Sequence, residues 1–325
     1  MRAWQLHELG DPIDKLAIHE IPEPDAPGPG AVKVAIESVG IAFPDVLQCR
    51  GEYQIKTTFP HTPGGESAGR VVELGDGVTD LAVGDRVMML GGGLVEQVVM
   101  PAASLWKLPE NFASDKAAAV PINYGTTWFA LHDRAHIQAG ETLLVAGAAG
   151  GTGSAAIQLG KAAGATVIAV AGGETKAEQA RQLGADVVVD HHETPDWVDT
   201  VREASGGGVD VAYDPVGGDT MHQLRRCMAW DGRLLVIGFV AGIPDIPANH
   251  ILLKNYSVVG VHWGASLGRN PESINQQMQA ILELAGTGDV DPLIYPPYAF
   301  EDGARSIQDL AERKTWGKVI VQVGS

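Results

Sequence analysis

Apolar positions along the chain change period once, and the change divides it in two. In the first third, the run AVKVAI at 31–36 alternates, placing Val32, Val34 and Ile36 on one face, as a half-buried strand does. GRVVEL at 69–74 runs into the turn GDG, and GDRVMM at 84–89 predicts another turn and strand. Pro22, Pro24, Pro27 and Pro29 mark an extended early loop rather than a linker. After about Pro121, short apolar runs alternate with helical stretches. TLLVA at 142–146 predicts a buried strand, 154–163 a helix stopped by Gly164, TVIAV at 166–170 a strand, and 176–183 a helix stopped by Gly184. VVV at 187–189, VDVAY at 209–213, LLVI at 234–237 and SVVGV at 257–261 add strands. Strand–helix alternation of this kind predicts a doubly wound parallel sheet with helices on both faces, an α/β fold. A helix over 272–285 and a strand over 318–323 close the chain. No repeat at solenoid spacing and no low-complexity tract occurs.

The sharpest local signal lies between the first of these later strands and its helix: Gly147, Ala148, Ala149, Gly150, Gly151, Thr152, Gly153. Small residues there let backbone amides approach a pyrophosphate, and the helix dipole favours its charge. Ala148 stands where the usual G-x-G-x-x-G has its first glycine. Sites for NAD place an acid at the end of the second strand, on the ribose hydroxyls. Here that end reads Ala171, Gly172, Gly173, with Glu174 slightly late and Lys176 beyond it. Open glycines and a lysine suit a 2′-phosphate and hence NADPH; Glu174 leaves NADH open.

Composition narrows the partners. A net charge of −17 disfavours nucleic acid and anionic membranes, both of which need clustered Lys and Arg. Two cysteines, Cys49 and Cys227, rule out a disulfide scaffold and a four-cysteine zinc lobe. The first residues hold no apolar run of a signal peptide, and Lys254 and Asn255 interrupt the apolar runs at 251–253 and 258–259, so a cytoplasmic protein is expected.

Several motifs together carry a resemblance: GIAFPD at 40–45, GEY at 51–53, PGGE at 63–66, GDRV at 84–87, AAGGTG at 148–153, YDPVGG at 213–218, GF at 238–239 and GK at 317–318. Over nearly its whole length the chain resembles the zinc-free, zeta-crystallin-like quinone oxidoreductases of the medium-chain dehydrogenase/reductase superfamily. That resemblance implies a GroES-like β-rich substrate domain from both chain ends, 1–122 and 264–325, around a Rossmann domain at 123–263. It implies a homodimer paired along the edge at 257–261. It places Tyr53 and Asp45 near the reacting groups, with Tyr53 as hydrogen-bond donor to a developing quinol oxygen and Asp45 with a loop-holding alternative. It assigns cofactor contacts to Phe43, Asn123, Thr127, Ala149, Gly150, Gly151, Thr152, Gly172, Lys176, His191, Phe239, Val240 and Lys318. Trp263 is expected to help wall the acceptor.

In the alcohol dehydrogenase relatives the catalytic zinc is held by Cys, His and Cys. The matching positions here are Ala42, Gly65 and Asn123, which supply neither thiolate nor imidazole. Cys49 reads as a small packed residue, and no metal site is expected. Without a Lewis acid, hydride transfer from NADPH suits an acceptor that is already electron-poor. The expected activity is an NADPH:quinone oxidoreductase acting on a small electrophile. Reduction of activated alkenes (enones or acrylyl and enoyl thioesters) and non-catalytic NADPH binding are the alternatives.

Overall fold

The structure is a computed structural model that describes residues 1–266 and 268–324. It forms two compact units, Met1–Ile122 with Pro292–Ser325, and Asn123–Asp291.

The first unit is GroES-like and β-rich. Its main sheet is ordered Tyr298–Ala299, Val319–Gln322, Ala31–Ile41, Glu66–Leu74, Arg86–Leu90, Leu105–Lys107, and Gln97–Pro101 pairs separately with Ala31–Ile41. Val32, Val34 and Ile36 of the long strand do fall on one buried face, beside Val87, Met89 and Val321. Each such side chain contributes about 1.5–3 kcal/mol by leaving water. Val319–Gln322 from the end of the chain lies antiparallel to Ala31–Ile41, with Val319 opposite Ile41. A helix at Phe43–Arg50 follows that strand; Pro44 sits in its first turn, and Gly51 ends it at φ 73°.

The second unit holds six parallel strands in the order Val187–Asp190, Thr166–Ala171, Thr142–Ala146, Val209–Asp214, Met228–Val236, Ser257–Gly260. In chain order within the unit this is 3-2-1-4-5-6, the doubly wound Rossmann arrangement. Helix Gly151–Ala162 buries residues 153 to 160, because Gly, Ala and Ser let it lie close on the sheet. Residues 264–291, expected with the first unit, cluster with the second. Helix Pro271–Thr287 buries Ile274, Met278 and Ile281. Its Gln277 accepts the Trp263 indole N–H at 2.8 Å, and Met278 packs over Gly125. The periodicity of that helix announces an apolar face but not the surface that receives it.

Candidate functional site

The glycine turn of the second unit has the shape an anion needs. Gly147 takes φ +56°, and the Gly150 amide donates back to its carbonyl at 2.9 Å. Gly150 then caps helix Gly151–Ala162 with no side chain on the first amides. Those amides are left for a ligand. At Gly153 a Cβ would run into the Gly147 carbonyl oxygen and the Ala148 Cα, so the tight path from strand to helix requires glycine. Ala149 is buried beside the turn. The Asn123 side chain lies against Gly151, where a Cβ would come within 2.5 Å of Nδ2. Its amide makes no hydrogen bond among the described residues. Thr127, by contrast, is fully buried, its hydroxyl 2.8 Å from both the Asn123 carbonyl and the Tyr213 hydroxyl and 3.4 Å from the Thr152 carbonyl. It orients this corner from within.

At the end of the second strand, Gly172 is covered by two imidazoles. A Cβ there would lie 2.6 Å from His191 Nε2 and 3.0 Å from His192 Nε2, so a side chain at this position would push the imidazoles aside. The two rings stand edge to face, 4.8 Å apart. Lys176, half-buried, has no acidic partner among the described residues, and its charge is felt at His191. Partial burial, His192 and Lys176 hold the His191 imidazole below its usual value, with Asp190 pulling the other way. Glu174 is 80% exposed on its helix and pairs with Arg181 at 3.0 Å. Asp190 accepts the Gly173 and His192 amides at 2.8 and 2.9 Å, which holds its carboxyl below the usual range. His192 and Asp190 were not singled out from the sequence as site residues. The adjacency of His192 to His191 was the available signal; the reach of Asp190 to Gly173 leaves none.

Beyond the fourth strand, Asp214 is buried and accepts the Val216 and Gly217 amides through Oδ1, at 2.8 and 2.9 Å. Its Oδ2 has no partner among the described residues, and burial raises its pKa. The Ala241 amide bonds the Val216 carbonyl at 2.8 Å, so the segment bearing Phe239 and Val240 lies along this loop. Phe239 stands 46% exposed, open to a ligand. Trp263 is instead a core side chain of this unit, 4% exposed and bonded to Gln277.

In the first unit, Asp45 is 2% exposed, and its two oxygens accept the Ala42 amide at 2.7 Å and the Gly64 amide at 2.8 Å. It ties the start of helix Phe43–Arg50 to the Pro63–Gly64 turn, the loop-holding role. Burial still drives its pKa upward. Phe43 packs half-buried on the core. Tyr53 is half-buried, and its hydroxyl has no partner among the described residues. Burial and the nearby Asp45 charge raise its pKa, which keeps it a donor at neutral pH. His61, which sequence reasoning passed over, pairs its backbone with Leu6 and buries Nε2 without a partner. Burial lowers its pKa against the pull of Asp45.

Lys318 does not stand open to a phosphate. It is 3% exposed and forms an ion pair with the fully buried Glu66, whose other oxygen accepts the Ile122 amide at 2.7 Å. Burial raises the Glu66 pKa in spite of that lysine. Ala42, Gly65 and Asn123 do not fit zinc, and among the described residues no three His, Cys, Asp or Glu side chains are grouped to hold a metal.

A Rossmann sheet with an open glycine turn, joined in one chain to a GroES-like unit built from both ends, defines a dehydrogenase or reductase of two-unit type. Residues 28–110 match the alcohol dehydrogenase GroES-like domain and 151–284 the zinc-binding dehydrogenase domain. The quinone oxidoreductase-like protein 2 homolog of Nematostella vectensis is 37% identical over 330 residues, covering 98% of this chain and 88% of its own. The quinone oxidoreductase of Thermus thermophilus, solved also in complex with NADPH, superposes with TM-score 0.85 at 31% identity over 99% of this chain and 100% of its own. The CurK enoyl reductase gives 0.88 at 25% identity over 99% and 98%. The chain belongs to the quinone oxidoreductase-like branch of the medium-chain dehydrogenase/reductase superfamily. Among the described residues no helix is long and apolar enough to cross a membrane.

Proposed function

We propose that the chain is an NADPH-dependent oxidoreductase that reduces quinones without a metal. The observation that carries the reading is a pairing of two features. An open dinucleotide turn lies in one unit, and residues unable to bind zinc stand at the positions where zinc dehydrogenases hold their metal. The cradle at Gly153, which a Cβ would fill, fits a pyrophosphate. Uncapped amides at the start of Gly151–Ala162, with Gly150, Gly151 and Thr152, hold its charge, and Asn123 offers an amide beside it. Gly172, Lys176 and His191 receive the 2′-phosphate, and Glu174 pairs at the surface with Arg181. Phe239 and Val240 flank the nicotinamide. When bound, the reduced nicotinamide supplies hydride. Tyr53 donates its hydroxyl hydrogen bond to the acceptor oxygen as charge develops there. Asp45 acts by positioning, since both its oxygens are taken by amides.

Two relatives carry the substrate reading, being named for quinone reduction. The likeness to CurK favours a second reading, reduction of activated alkenes. NADPH oxidation by EDTA-treated protein with phenanthrenequinone, a simple enone and crotonyl-CoA decides between them. Turnover of the quinone supports the first, turnover confined to the thioester the second, and no turnover with any acceptor a purely binding role. A homodimer belongs to the same proposal. Ser257–Gly260 pairs only with Met228–Val236 among the described residues and offers its outer edge to a second copy. So does a cytoplasmic location, in keeping with two buried free thiols, Cys49 and Cys227.

A further inference from the structure

We propose that His191, set against Gly172 beside His192, makes recognition of the cofactor's 2′-phosphate proton-linked, so that selection of NADPH over NADH strengthens as pH falls. The inference deepens the NADPH reading and rests on it. Its basis is the convergence of both ring nitrogens on Gly172, the residue at the end of the second strand. Both imidazoles are exposed and available to a ligand. The charged groups felt at His191 are His192, Lys176 and Asp190. Asp190 accepts two backbone amides on Oδ1, and its charge favours a proton on His191. Lys176 supplies one fixed positive charge. A second arrives only when the His191 imidazole takes up a proton.

In the free protein partial burial, His192 and Lys176 together outweigh Asp190 and disfavour a proton on His191. A phosphate dianion against the same ring favours it. His191 therefore titrates at a higher pH in the NADPH complex than in the free chain. Between those two values, binding takes up a proton, and affinity falls as pH rises. The limit is about tenfold per pH unit for each linked proton. NADH lacks the 2′-phosphate and carries no such term. The phosphate's own second proton leaves at about pH 6, so the comparison belongs above that value.

The test is the dissociation constant of NADPH and of NADH at about pH 6.5, 7.5 and 8.5, by nucleotide fluorescence, on the full chain and on the His191→Gln/His192→Gln double variant. The ratio of NADH to NADPH constants should fall about tenfold across that range in the parent and stay nearly flat in the variant. Calorimetry of NADPH binding to the parent in two buffers of different ionisation heat should show net proton uptake near neutrality. This second readout needs no substitution. A pH-independent preference for NADPH, without proton uptake, would overturn the proton linkage alone. Equal affinity for both nucleotides at every pH would overturn the NADPH reading and the linkage with it.

Discussion

Lys318→Met separates two roles for one lysine. At the end of the chain it could contact a cofactor phosphate, but the structure spends it on Glu66, with the two side chains 3% and 0% exposed. Removing the ammonium leaves a carboxylate in the core with one amide, from Ile122, as its remaining partner. Breaking a buried pair in this way costs about 3–5 kcal/mol. In a domain of this size each kcal/mol is worth about 2–4 °C, so the melting midpoint should fall by roughly 6–20 °C. Glu66 binds its proton more tightly folded than unfolded, because burial raises its pKa. Protonation therefore favours the folded state as pH falls, and loss of the lysine widens that window upward. The deficit of the variant should shrink from neutrality toward about pH 5. Adding Glu66→Gln, which keeps an acceptor for the Ile122 amide, should restore most of the loss, since no charge is then stranded. Urea and thermal unfolding of the parent, the single and the double variant measure this. NADPH binding by the variants that remain folded should change by less than about threefold, against the tenfold or more expected for a lost charged contact. A stability loss below about 1 kcal/mol together with a tenfold loss of NADPH affinity would refute the reasoning.

Lys176→Ala should raise the NADPH dissociation constant by about ten- to a hundredfold and leave that of NADH in place, since a charged hydrogen bond contributes about 1.5–3 kcal/mol. An equal effect on both nucleotides would mean that Lys176 does not read the phosphate. Tyr53→Phe should lower kcat on quinones by about tenfold or more with little change in KM; unchanged steady-state kinetics would leave the ring a packing role. Val259→Lys puts a charge on the open sheet edge and should shift sedimentation from dimer toward monomer, with the melting midpoint held. A dimer of undiminished affinity would place the interface elsewhere.

Much of the second unit was legible in the sequence because its signals are local. Short apolar runs fall on the observed strands, and Gly164 and Gly184 stop their helices at φ +79° and +95°. The glycine turn opens the helix where the pattern expects it. Helices with mixed surfaces were less visible. Gly218–Cys227 buries only Met221, Leu224 and Cys227 among polar and charged neighbours, and Val198–Ala204 is a bare two turns. The roles of single side chains were hardest to read, because they depend on partners far along the chain. Glu66 and Lys318 stand 252 residues apart, and the indole of Trp263 finds Gln277 on a helix that by position alone belongs to either unit. Asp45 has a carboxylate's chemistry in the sequence; two amides, one of them 19 residues away, turn it into a tie.

The pairing of Val319–Gln322 with Ala31–Ile41 also sets an order of assembly during synthesis. The Rossmann unit is encoded without interruption, whereas the strand that completes its companion is translated after it. Until then residues 38–41 of the long strand lack this antiparallel neighbour. Deleting Val319–Gln322 would remove little mass, yet it would strip residues 38–41 of their partner and leave that part of the β-sheet exposed to aggregation.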